Sequence, residues 1–202
     1  MVGVVAVVVA EVVVSAPAVA ATLAAVAPRG IGEMSHWLPR LLKHRRFDER
    51  DAQRLLGAGA LQRVQARVAA SETGHSGEIR VCVEAGLPWS YLRRNATPRE
   101  RAVAMFGKLR VWDTEHNNGV LIYLLIAARA IEIVADRGLS RHVDAAAWQR
   151  ITAAMKAAFQ RGEFEAGLNQ AVDAVDALLR EHFVLAPGEA NPNELTDTPD
   201  LR

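Results

Sequence analysis

The sequence predicts a three-layer α/β/α sandwich built around a small mixed β-sheet. Three observations carry that expectation. An alternating strand pattern at 78–84 and an apolar run at 119–127 are separated by an amphipathic helical stretch, as in a β-α-β unit. A second strand follows the apolar run after a two-residue break, which reads as a β-hairpin. Two further segments with helical spacing of large apolar residues then close the domain.

Taken in chain order, residues 1–33 form a Val/Ala-rich leader, interrupted by Glu11 and Pro17. About 20 apolar residues suffice to cross a bilayer, so the leader is long enough for a membrane segment. A Glu within such a span costs about 2.5 kcal/mol or more. Two other readings stand beside it: translation starting at Met34, and a signal peptide, with Ala18-Val19-Ala20 or Ala25-Val26-Ala27 as cleavage patterns but no cation ahead of the apolar run. The first of these makes the protein cytoplasmic. The membrane reading anchors it by a single pass with the domain on the cytoplasmic side, because Arg40, Lys43, Arg45 and Arg46 follow the leader.

Residues 34–70 form a basic, amphipathic, helical region. In it HWLPRLLKHRRFDER (36–50) reads as a helix edge packed on the domain, and its mixture of cations with Trp37, Leu38, Leu41 and Leu42 also suits an anionic membrane surface. Asp48 to Ala70 reads as a helix weakened at its middle by Gly57 and Gly59. The turn SETGHSG (71–77) leads into EIRVCVE (78–84), with Ile79, Val81 and Val83 on the core face. TPRERAVAMFGKLR (97–110) opens with Thr97, Pro98 and Glu100, the signature of a capping box with proline in the first turn.

GVLIYLLIA (119–127) is apolar on both faces, as a central strand is, and AIEIVAD (130–136) follows Ala128-Arg129. A two-residue turn there pairs Ala127 with Ala130 and sets Asp136 opposite Leu121. Trp148, Ile151, Met155 and Phe159 mark one C-terminal helix; Phe164, Leu168, Val172, Val175 and Leu179 mark the next. Residues 71–183 form the domain proper. The tail, 184–202, is rich in Pro, Asn and acids and reads as disordered.

The chain has 202 residues and a net charge of +1, without a basic patch interleaved with aromatics, so a nucleic-acid partner is not expected. The single cysteine, Cys82, excludes an internal disulfide and a multi-cysteine metal site. No phosphate-binding glycine loop, no GxSxG elbow and no HExxH or EF-hand spacing occurs.

What the topology does gather is a polar edge. The cluster Asp113 to Asn118 precedes one strand, the Asp136-Arg137-Gly138 turn ends its hairpin partner, and 73–78 joins them if 78–84 runs parallel to 119–127. Asp113, Glu115, Asn118 and Asp136 offer hard oxygen donors, which suit Ca²⁺ or Mg²⁺. Turn chemistry alone also accounts for Asp and Asn at such positions. His75, His116 and His142 read as surface or capping residues.

TGHSGEIRVCVEAG, a helix ending in FGKLRVWD, NNGVLIYLLIAARAIEIVADRG and AFQRGEFEAGL together resemble the TPM domain, over about residues 70–183. Bacterial members are among its relatives, alongside a thylakoid-lumen protein, a photosystem II repair factor and a nematode receptor modulator. The resemblance implies an α/β/α sandwich, divalent-cation binding in some members and acid phosphatase activity in a plant one. Asn118 and Gly119 match the Asn-Gly that opens the strand, Asp136 matches the acidic position ending the hairpin, and Asp113 falls in a variable loop. Many bacterial members carry a signal peptide, a C-terminal membrane helix and a glycine-rich tail; this chain lacks the last two. The expectation is a non-enzymatic module binding a divalent cation, a protein partner or both, with membrane association through residues 1–50. The alternative is a cation-dependent, phosphatase-like hydrolase in which Asp113, Glu115 and Asp136 hold the ion and Asn118 orients a phosphate oxygen.

Overall fold

The computed structural model describes residues 34–202; the leader and every reading of it lie outside the described residues. Helices α1 (Met34–Arg45), α2 (Glu49–Leu56) and α3 (Ala60–Ser71) precede strand β1 (Ile79–Glu84). Helices α4 (Trp89–Arg93) and α5 (Pro98–Lys108) lead to strands β2 (Val120–Leu125) and β3 (Ala130–Ala135). Helices α6 (Arg137–Ser140), α7 (Ala145–Gln160) and α8 (Phe164–His182) follow, and a short strand β4 (Asp200–Leu201) ends the chain. The sheet order is β3-β2-β1-β4, with β1 parallel to both β2 and β4 and β2 antiparallel to β3.

Helices cover both faces. Ile79, Val81, Val83, Val120, Ile122, Leu124, Ile131 and Ile133 share one core with apolar residues of α2, α3, α7 and α8. Cys82, Leu121, Tyr123, Leu125 and Val134 share the other with residues of α4 and α5. The sandwich is therefore the architecture the patterning implies, with the apolar run 119–127 at its centre.

Local signals explain most boundaries. Thr97 Oγ1 accepts from the Glu100 N–H at 3.1 Å while the Glu100 carboxylate accepts from the Thr97 N–H at 2.6 Å, the reciprocal box that starts α5. The stretch expected as one helix from Asp48 to Ala70 is two. Gly57 (φ 92°) and Gly59 (φ 71°) adopt positive φ between α2 and α3, a conformation that ends a helix and that glycine reaches without a Cβ penalty.

Three further details differ from expectation. Strand β1 is buried along its whole length rather than on one face, because α5 and the C-terminal tail cover Arg80, Cys82 and Glu84. The hairpin pairs Leu125 with Ala130, not Ala127, and Asp136 faces Gly119 rather than Leu121: the Asp136 N–H donates to the Gly119 carbonyl at 2.9 Å. A two-residue I′ turn needs positive φ at both central residues. Only Arg129 has it (φ 52°), so the link widens to 126–129, closed by a bond from the Arg129 N–H to the Ile126 carbonyl at 3.0 Å. Finally, the tail 184–202 is not disordered. It returns along β1 and supplies β4, held by buried side chains that composition does not reveal.

Candidate functional site: a polar edge of the sheet

The entrance of β1 and β2 and the exit of β3 form one edge, where Asp136 pairs with Gly119 across the ladder and Asn118 immediately precedes that pair. Asn118 is fully buried. Its N–H donates to Thr114 Oγ1 at 3.1 Å, and its Nδ2 donates to the Ser76 carbonyl at 3.0 Å, tying the loop before β2 to the loop before β1. Asn118 Oδ1 is buried and receives no hydrogen bond.

Asp136 caps α6: its Oδ1 accepts from the Arg137 N–H at 2.6 Å, whereas Oδ2 is buried with no donor. Burial pushes this carboxyl above the usual aspartate range, against the pull of the Arg137 N–H and guanidinium. The two halves of the edge are stitched by the Gly138 N–H, which donates to the Asn117 carbonyl at 2.8 Å, and by Arg137 Nε, which donates to Asn117 Oδ1 at 3.0 Å. Close backbone approach explains the glycines. A Cβ on Gly138 would lie 2.4 Å from the Asn117 carbonyl oxygen, and one on Gly119 would lie 2.0 Å from that of Val111.

The other two expected ligands sit differently. Asp113 is exposed, 4.0 Å from Arg110. Glu115 is exposed, and its N–H is taken by the Glu194 carboxylate of the tail at 3.1 and 3.2 Å. Among the described residues no three His, Cys, Asp or Glu side chains gather as a metal cage. Among the expected ligands, the buried oxygens that lack donors are Asn118 Oδ1 and Asp136 Oδ2. His75, expected at this end, is fully buried, with Nε2 3.3 Å from Asp176 Oδ1; burial lowers its basicity. Cys82 is buried, and desolvation raises its thiol well above the ordinary value, which holds it protonated while the tail covers it.

A second acidic group lies at the entrance of β1; the sequence placed Glu78 at this end but not Glu72 or the tail residues beside it. Glu72 Oε1 accepts from the Ile79 N–H at 3.0 Å, where a further residue of an adjoining strand would otherwise bond. Glu78 accepts from the Glu194 and Leu195 N–H groups at 3.0 and 3.2 Å. Burial pushes Glu78 up to about 6; burial, then the Glu78 and Asp197 charges, push Glu72 up to about 8 despite the Ile79 bond. Half of this cluster comes from a segment that reads as solvent-loving tail, so no local pattern could have announced it.

The sign of the resulting pH dependence follows. A carboxyl whose folded pKa is raised favours the fold most at pH values below its unfolded value, and that contribution fades as pH rises to the folded value. For Glu72 the window runs from about 4.5 to about 8. Thermal midpoints are therefore expected to fall across this range. In Glu72→Gln, whose amide oxygen still accepts from Ile79, the decline should be visibly shallower; an unchanged slope would exclude Glu72 as its source.

A family model described as the TPM domain matches residues 50–178. The chain belongs to the TPM domain family. Strands β1, β2 and β3 lie within the matched region, and the tail beyond residue 178 lies outside it. Among solved structures, the chain is similar to the BA42 protein from the psychrophilic bacteria Bizionia argentinensis, determined by NMR. The two share 25% identity and a TM-score of 0.62, over 71% of this chain and 93% of that one. No curated protein matches. Among the described residues, no helix is long and apolar enough to cross a membrane.

Proposed function

We propose that this TPM domain is a non-enzymatic module that binds a divalent cation, Ca²⁺ or Mg²⁺, at the polar edge, and that the bound ion shapes the edge for a protein partner. The observation that carries the reading is two buried acceptors without donors, Asn118 Oδ1 just before β2 and Asp136 Oδ2 just after β3, at the same edge of the sheet. A buried acceptor left unpaired costs about 1–3 kcal/mol. A hard cation is a ligand whose chemistry removes that cost for amide and carboxylate oxygens alike. Asp113 and Glu115, exposed in the loop before Asn118, do not gather with Asp136 in this fold and would complete the shell only through a rearrangement of that loop on ion binding. The ion would supply a fixed positive charge joining the two halves of the edge. A raised Asp136 pKa fits a site that is stabilised by a proton or a cation.

Titration with CaCl₂ or MgCl₂ followed by backbone amide NMR tests it. Shifts are expected at 113–119 and 136–138, absent in Asp136→Ala, with the wild type gaining about 2.7 kcal/mol of stability when the ion is at 100 times its Kd. Shifts elsewhere, or none, would remove the cation site. Ion-dependent release of p-nitrophenol from its phosphate, lost in Asp136→Ala, would replace the binding module by the hydrolase reading.

A further inference from the structure

The tail beyond the family match is bound as a peptide ligand is bound. Asn191 Nδ2 donates to the carbonyls of His75 and Gly77 at 2.9 and 3.3 Å. The buried Glu78 carboxylate takes two successive N–H groups, Glu194 and Leu195, and Arg80 donates to the alternate carbonyls of Thr196 and Thr198. The ladder follows, Cys82 opposite Asp200 and Val83 opposite Leu201, and Arg202 closes it with bonds to the Val83 carbonyl (3.0 Å) and from the Ala85 N–H (2.7 Å). Leu195 packs against the core on the α4/α5 side of the sheet and Leu201 against the core on the other side. The domain thus reads mostly main chain, with two apolar anchors, which is strand addition to a sheet edge.

The segment is joined to the domain by the exposed stretch 186–190, whose turn bonds to itself: the Glu189 N–H donates to the Ala186 carbonyl, and the Ala186 N–H donates to the Glu189 carboxylate. Gly188 there has φ 89°. The hydrogen bonds that dock 191–202 on the domain are made by other residues.

We propose that the β1 edge is an exchangeable strand-docking surface whose second occupant is segment 191–202 of another copy of this chain. Identical contacts form in either arrangement, so the two differ only in the link and in the entropy of association. With its turn opened, so short a link holds the segment at an effective concentration on the order of millimolar, so the closed monomer prevails in dilute solution and exchange becomes comparable near that concentration. The proposal is independent of the cation site.

The Cys82–Asp200 register provides the test. Wild-type chain, whose sole thiol is Cys82, is mixed with full-length Cys82→Ser/Asp200→Cys chain bearing a different tag, under oxidised glutathione. A disulfide-linked heterodimer is expected, and is not expected when the second chain is Cys82→Ser/Asn193→Cys, whose thiol lies off the ladder. No heterodimer, or equal amounts from both chains, overturns the proposal. A second measurement needs no variant. Isotope-filtered NMR on a roughly millimolar mixture of labelled and unlabelled wild-type chain should show intermolecular contacts between Val83 and Leu201; contacts found only within one chain would overturn it.

Discussion

Replacing Arg101 by alanine is expected to destabilise the domain by about 3–5 kcal/mol, read as a lower urea midpoint, because it strands a buried charge. Arg101 donates to Glu84 through Nη2 at 2.6 Å and through Nε at 2.8 Å, with the two side chains only 10% and 4% exposed. Tyr123 donates to the same carboxylate at 2.6 Å, and the Tyr91 ring lies 4.9 Å from the Arg101 guanidinium. This network joins β1, β2 and α5 beneath the sheet. Without Arg101, Glu84 keeps one hydroxyl partner in a site closed to water. The triple change Glu84→Leu/Arg101→Met/Tyr123→Phe removes both charges and the hydroxyl that Glu84 satisfies, and is expected to recover most of the loss. A single variant as stable as wild type would show that water reaches Glu84 in solution.

Gly119→Ala is expected to cost roughly 3 kcal/mol, the upper end of what overpacking does, since its Cβ would lie 2.0 Å from a main-chain oxygen that cannot rotate aside. Gly107 is the control: it is exposed in α5, a Cβ there meets nothing within 4 Å, and Gly107→Ala should stabilise by up to about 1 kcal/mol. Thermal melts of the two variants should move in opposite directions. If Gly119→Ala melts with wild type, the contact between Val111 and the start of β2 is looser than the structure has it. Asn118 adjoins Gly119, so the same variant should also broaden the amide signals of the polar edge.

The layers of this domain were legible because each rests on a local pattern. The capping box at Thr97 to Glu100, the both-faced apolarity of 119–127 and the spacing of Trp148 to Phe159 each declare an element from its own residues. The return of Asp136 to the start of β2 also followed from connectivity, since a hairpin must return its end to the start of its first strand. The two-residue register error arose where that logic relies on turn geometry: Ala128 keeps a negative φ, and the turn widens.

The separation of Asp113 and Glu115 from the buried pair was not legible. Sequence places a residue in a loop but does not say which side of the loop faces the core. The tail is the larger case. NPNELTDTPDLR has the composition of a solvated segment, and its order comes from Glu78 and Arg80, side chains over a hundred positions away that bond its main chain. Periodicity determined the elements because burial of one face repeats at the period of the helix or strand. Contacts between a polar side chain and a distant backbone leave no such period, so only the folded chain decides that β1 has a partner on its outer edge and that two oxygens at its entrance are left without donors.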